Sequence, residues 1–241
     1  RQDLQTQALS YLRQVKKGAD RLNAISLLLD LEMPDKDQRE VYFYRLRDQN
    51  QDLTADIYSL EVQYLQDIGQ IELAIVSYQN ALQEHPQNIS LLYGYALLAQ
   101  SLHQFDTTEQ MLQRIIDIEP NHINALNALG YSYAEQGVNL IQAELLIRKA
   151  LAQDPENAAI IDSLGWVSYR LGHLRQSLIL LTKAYDILPS AEIAAHLGAV
   201  KWALGDTESA FKTWNLALSL DPDNTLIKQA ILDAQNEFQS D

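Results

Sequence analysis

Residues 121–189 read NHINALNALGYSYAEQGVNLIQAELLIRKALAQDPENAAIIDSLGWVSYRLGHLRQSLILLTKAYDILP, and their internal repetition decides the fold. The first half runs Leu126-x-x-Leu129-Gly130-x-x-Tyr133, then Gly137, Ala143-x-x-x-Ile147, Ala150 and Pro155. The second runs Ile161-x-x-Leu164-Gly165, then Gly172, Ser177-x-x-x-Leu181, Ala184 and Pro189, so that the two prolines stand 34 residues apart. Each half is a helix, a turn and a second helix. Gly130 and Gly165 sit where the second helix must pass close by, and Ala143, Ala150, Ser177 and Ala184 read as the second helix's half of that contact. Gly137 and Gly172 fall just past the first helix, where a residue with positive φ ends it cheaply, and the prolines stop the second helix. Asn157 is placed to cap the next one.

A period of 34 with this order of small and large residues is the tetratricopeptide (TPR) signature. It extends in both directions. Upstream, one copy has Gly69, Ala74-x-x-x-Tyr78, Ala81 and Pro86, and the next has Tyr95-Ala96, Leu112, Ile115 and Pro120, with His103 at the turn and Thr108 and Ile115 at tight-packing positions, which predicts a wider helix pair. Downstream, a fifth copy has Leu197-Gly198, Gly205, Ala210-x-x-x-Trp214, Ala217 and Pro222, and it follows a linker shortened at Ser190. The pair in 123–157 carries one inserted residue in the turn between Val138 and Ile141. The expected organisation is a degenerate helical region over 1–52, five units at about 55–88, 89–122, 123–157, 158–190 and 191–224, and a polar capping helix over 225–241. In the first region Leu4 to Lys17 is helical up to Gly18, Leu22 to Leu31 forms a second helix before Met33-Pro34-Asp35, and Asp37 to Gln49 a third, packed on the first regular unit. The fold class is all-α, an α-solenoid of antiparallel helix pairs that the TPR resemblance makes a right-handed superhelix with its first helices on the concave face.

The 241 residues are 47% hydrophobic and 21% charged, with 9 Gly and 6 Pro, enough for a helical core. No apolar run is long enough to span a bilayer. The chain begins at Arg1 rather than methionine, so it is expected to be a trimmed piece of a longer protein from which a targeting segment could have been removed. A net charge of −14 speaks against nucleic acid as a partner, since such binders need a basic face. The absence of cysteine excludes disulfides and thiolate ligands, and suits either a reducing cytoplasm or a periplasm.

No phosphate-binding loop, nucleophile elbow or zinc motif occurs, so neither an enzyme nor a cofactor is expected. His85, His103, His122, His173 and His196 are scattered without ligand spacing and read as solvated turn or capping residues. Asn88-Ile89-Ser90 is a chance sequon in a linker. The groove-facing positions of the first helices are richer: Tyr93 and Leu97, Asn127 and Tyr131, Asp162, Trp166, Tyr169 and Arg170, then Trp202, with His196 beside them. Aromatics supply contact area and polar groups fix orientation, so these form a candidate floor for a protein or peptide partner. Trp166 and Trp202 read equally well as core residues between repeats. The clamp by which some TPR domains grip chaperone termini needs Lys, Asn and Arg, and the matching positions here hold Ser59, Tyr93, Asn127, Asp162 and Ala195; only Asn127 fits.

Asn124 to Tyr131, Ile161-Asp162-Ser163-Leu164-Gly165-Trp166-Val167-Ser168-Tyr169-Arg170-Leu171-Gly172 and Glu192 to Gly198 are more particular than a generic repeat requires. Together they resemble the C-terminal repeats of proteobacterial TPR outer-membrane lipoproteins, a family that includes the adaptor of a periplasmic carboxyl-terminal processing protease. Tyr11-Leu12-x-x-Val15-x-x-Gly18 and Tyr44-x-Leu46-Arg47 resemble that family's upstream segment. The resemblance implies a non-catalytic adaptor that delivers substrates such as cell-wall hydrolases to the protease, tethered in the periplasm through a lipid anchor outside this sequence, since the lipid-bearing cysteine is missing. Two alternatives stay open: an assembly factor resembling the pilotins of pilus or secretion pores, and a recognition module cut from a larger enzyme, for which a cytoplasmic location is also open. The oligomeric state is not legible.

Overall fold

The computed structural model describes residues 7, 10–12, 14–15, 20–32 and 38–240. Every described element is helical, with no strand among the described residues. The expected helix from Leu4 to Lys17, its Gly18 break and the Met33-Pro34-Asp35 turn lie outside the described residues or only partly within them. The chain divides into two compact units, residues 1–95 and 96–241.

The first unit contains α1 (Asp20–Glu32), α2 (Arg39–Gln49), a short 3-10 turn (Gln51–Leu53), α3 (Thr54–Asp67) and α4 (Ile71–Glu84), followed by the start of α5 (Ile89–Ser101). Phe43 of α2 is fully buried with Ile25, Leu29 and Ile57, and its ring lies 6.1 Å from that of Tyr64, so α2 packs on the first regular helix pair as the sequence requires.

In the second unit α5 is followed by α6 (Phe105–Ile118), α7 (Ile123–Gln136), α8 (Leu140–Leu151), α9 (Ala158–Arg170), α10 (Leu174–Ile187), α11 (Ala191–Ala203), α12 (Thr207–Leu220) and α13 (Thr225–Ser240). Capping side chains start α9, α11, α12 and α13. Asn157 Oδ1 accepts from the Ala159 and Ile160 amides, Ser190 Oγ from Ile193, Asp206 Oδ1 from Ser209 and Asn224 Oδ1 from Ile227. Gly137, Gly172 and Gly205 end α7, α9 and α11 at φ of 73°, 80° and 83°. His103 takes the same left-handed turn at φ 55°, where a side chain is disfavoured. The inserted residue of the α7–α8 turn is absorbed by Asn139, also left-handed at φ 48°, which delays the start of α8 to Leu140. At its other end α8 stops at Leu151, four residues short of Pro155, in a turn held by the Asn157 Nδ2 donation to Asp154 Oδ2 at 2.9 Å.

The close helix contacts follow the sequence expectation and add a second partner to it. Ala143, Ala150, Ser177 and Ala184 are fully buried, and the first-helix glycine also faces the large residue four positions beyond Ala143 or Ser177. A Cβ on Gly130 would stand 2.6 Å from Ile147 Cγ1, and one on Gly165 would stand 2.6 Å from Leu181 Cγ. On Gly198 it would collide with the Trp214 indole. Residues four apart share a helix face, so the alanine brings the backbones together and the following large side chain covers the glycine. Ser177 satisfies its hydroxyl in this contact by donating to the Gly165 carbonyl at 2.7 Å. The polar face of α13 stays exposed at Lys228, Gln229, Asp233 and Asn236, while Ile227 and Ala234 bury beside Trp214.

Candidate functional site

Within the second unit α7 packs on α9 and α9 on α11, which lines up the first helices of three successive pairs. A residue and its equivalent one period later are therefore neighbours on adjacent helices. Asp162 of α9 and His196 of α11 stand 34 apart in sequence and meet, His196 Nδ1 lying 3.0 Å from each carboxylate oxygen. Both are buried, at 4% and 8% exposure.

The His196 ring stacks on Trp166, with centroids 4.2 Å apart and planes 18° apart, and Trp166 in turn stacks on Tyr169 at 5.0 Å. The ring of Tyr131, on α7, lies 6.2 Å from that of His196, and its hydroxyl donates to Glu192 Oε1 at 3.2 Å. Burial, with the carboxylates of Glu192, Glu135 and Asp162 nearby, pushes the Tyr131 phenol far above its ordinary range, so it remains a donor. Side chains from three helices thus form one fixed aromatic surface, rimmed by the exposed carboxylate of Glu192.

Several residues expected in the floor have other roles. Asp162 does not offer its carboxylate to a ligand: it is enclosed and spent on His196. Arg170 reaches back one repeat, its Nη1 donating to the Glu135 carbonyl at 2.9 Å beside Gly137, where it closes the end of α7; its Cζ is 6.0 Å from the Trp166 ring centroid. Trp202 is half-buried against Phe211 and Trp214, at 5.8 and 6.4 Å between centroids, and so belongs to the core of its own helix pair rather than to the Trp166 stack. Asn127 is half-buried, and its Oδ1 is enclosed without a hydrogen-bond partner. Leu97 is 47% exposed, and Tyr93, half-buried, falls in the first unit.

The histidines divide likewise. His122 caps α7 through Nδ1, and His85, His103 and His173 stand at helix ends, as expected. His196 does not: it sits in mid-helix and is buried. Glu192 and Glu135 were not singled out by the sequence reading; Glu192, four residues before His196, was available by helical spacing. Among the described residues no group of three or more His, Cys, Asp or Glu side chains is arranged to hold a metal ion.

Comparison with known proteins accords with this geometry. Two tetratricopeptide-repeat family models match, over residues 67–137 and 191–224. The TPR repeat-containing protein PA4667 of Pseudomonas aeruginosa is 34% identical over 193 residues, which is 79% of this chain and 33% of that protein. The chain thus spans about a third of the length of that relative. Among solved structures, a tetratricopeptide repeat protein from Parabacteroides merdae superposes with a TM-score of 0.69 over 96% of this chain and 91% of the other, at 16% identity. TTC0263, a TPR protein of Thermus thermophilus, gives 0.62 over 72% of this chain and 95% of its own, at 20% identity. The chain thus carries tetratricopeptide repeats and has the all-α solenoid fold of that class. Its relatives are TPR repeat proteins, and repeats of this class mediate protein–protein interaction.

Proposed function

We propose that this chain is a non-catalytic adaptor that binds a protein partner on the α7–α9–α11 face. The observation that carries the reading is the stack of Tyr131, Trp166, Tyr169 and His196, drawn from three helices and held by the Asp162 and Glu192 contacts. Side chains already fixed lose little freedom on binding, and aromatic anchors supply much of the energy of such interfaces.

The partner proposed is a periplasmic carboxyl-terminal processing protease together with its protein substrates, cell-wall hydrolases among them. In the same reading the parent protein is an outer-membrane lipoprotein. What supports this is the likeness of Asn124–Tyr131, Ile161–Gly172 and Glu192–Gly198 to the adaptor family. A reconstituted digestion tests it. Addition of this chain should speed cleavage of a cell-wall hydrolase by the protease, and immobilised chain should retain the protease from a periplasmic extract. Unchanged cleavage together with no retention would overturn the proposal.

A further inference from the structure

A cavity of about 280 Å³ opens in the first unit between α2, α3 and α4. Its lining joins two arginines, Arg39 and Arg47, to Tyr58, Leu65, Leu73 and Val76. The two cations are in different states. Arg47 is committed: its Nη1 donates to Glu61 Oε2 at 2.5 Å, its guanidinium lies 4.1 Å over the Tyr58 ring, and Ser77 Oγ donates to the same Glu61 oxygen at 3.0 Å. Arg39 is only 7% exposed, its Nε is buried without a hydrogen-bond partner, and it forms no ion pair among the described residues. Its one close electrostatic contact there is the face of Tyr64, 5.2 Å from Cζ. Glu40 also lines the cavity but is exposed.

A guanidinium stays charged at any physiological pH, and a buried charge is costly until an anion pairs with it. Its fork of parallel N–H groups matches a carboxylate. In the same lining, Leu73 and Val76 of α4 are large apolar side chains, 48% and 49% exposed. The volume falls just below the roughly 300–1,000 Å³ of sites for drug-sized ligands, so the occupant is small.

We infer that this cavity is a binding subsite for a carboxylate carried on an apolar group about the size of one residue, with Arg39 as the anion's partner and Leu73 and Val76 against the apolar part. The last residue of a polypeptide and a free short-chain acid share this chemistry. The subsite is independent of the α7–α9–α11 face and does not rest on the adaptor reading.

Calorimetric titration of the chain with three probes tests it: acetyl-Ala-Ala-Ala-Leu with a free carboxylate, the same peptide as its C-terminal amide, and hexanoate. The free acid should bind at least tenfold more tightly than the amide. Arg39→Gln should weaken binding at least tenfold while its helical circular dichroism is retained. Should that variant unfold, Leu73→Asp, at an exposed position, should weaken binding as much by placing a negative charge in the lining. Tighter binding of the acid peptide than of hexanoate assigns the subsite to a chain terminus, and equal binding assigns it to a small acid. Equal affinity for acid and amide, no binding of either acid probe, or unchanged affinity in folded Arg39→Gln or in Leu73→Asp would overturn the inference.

Discussion

His103 shows what one residue contributes to a repeat. It occupies a left-handed turn that glycine fills at Gly69, Gly137, Gly172 and Gly205, and there its Cβ meets the backbone. Replacing it with glycine removes a conformational cost of about 1–2 kcal/mol but makes the unfolded chain freer by about 0.4–1 kcal/mol. The ring also gives up a contact with Phe105 at 5.7 Å. His103→Gly is therefore expected to stabilise the protein by roughly 0.5–1 kcal/mol, read from urea denaturation; a loss of stability would mean that the Phe105 contact outweighs the strain. The turn itself was legible, because a period of 34 puts His103 where the other repeats hold glycine. The fate of His196 was not. Its distance of one period from Asp162 places the two on neighbouring helices, but periodicity gives the angle of a side chain around its own helix and says nothing of the depth to which the next helix encloses it.

At the scale of elements, the repeat pattern located the helices and their breaks closely, and it named the positions that must be small. What it left out was the second partner of each first-helix glycine. Packing two helices is a match between a ridge and a groove, and only the structure shows Ile147, Leu181 and Trp214 lying over Gly130, Gly165 and Gly198. The shortening of α8 at Leu151 was also hidden, since Pro155 alone marked the limit of the helix and not its last turn. Ala184 remains a sharp test of register. It is fully buried, whereas Lys183 beside it is exposed and reaches Glu156 at 3.0 Å. Ala184→Leu should destabilise by about 1–3 kcal/mol through overpacking. Lys183→Leu should stay within about 0.5 kcal/mol of the parent. Equal denaturation midpoints for the two variants would contradict the packing.

For the whole molecule, both units bury tyrosines, and this gives stability a dependence on alkaline pH. Burial pushes Tyr78 up to about 12; burial and a hydrogen bond to Glu84 do the same for Tyr58. Tyr131 and Tyr133 are raised further, chiefly by burial, with Glu192 and Glu109 as their acceptors. In the unfolded chain a phenol ionises near pH 10. Above that pH the unfolded state binds fewer protons than the native one, so the contribution is complete below pH 10 and is lost as the pH climbs toward and through the raised values. The melting temperature should fall steeply above pH 10, and phenolate absorbance in the folded protein should lag that of the unfolded chain. Tyr78→Phe should soften the fall. A flat stability between pH 9 and 11 would contradict the burial of these hydroxyls.

The central functional claim concerns which face meets the partner, and the aromatic stack itself is a blunt probe because its members also hold the fold. Arg170, which the sequence offered as a contact residue, is engaged with the Glu135 carbonyl. Glu192 on α11 and Ile179 on α10 are both exposed, Ile179 at 70%, and they represent a first-helix and a second-helix surface of adjacent repeats. The deciding measurement is the affinity of the captured partner for Glu192→Lys and Ile179→Lys, with the melting temperature of each taken alongside. Binding on the α7–α9–α11 face predicts a loss of at least tenfold, about 1.4 kcal/mol, for Glu192→Lys and parental affinity for Ile179→Lys; unchanged binding by Glu192→Lys with a loss at Ile179→Lys would contradict it.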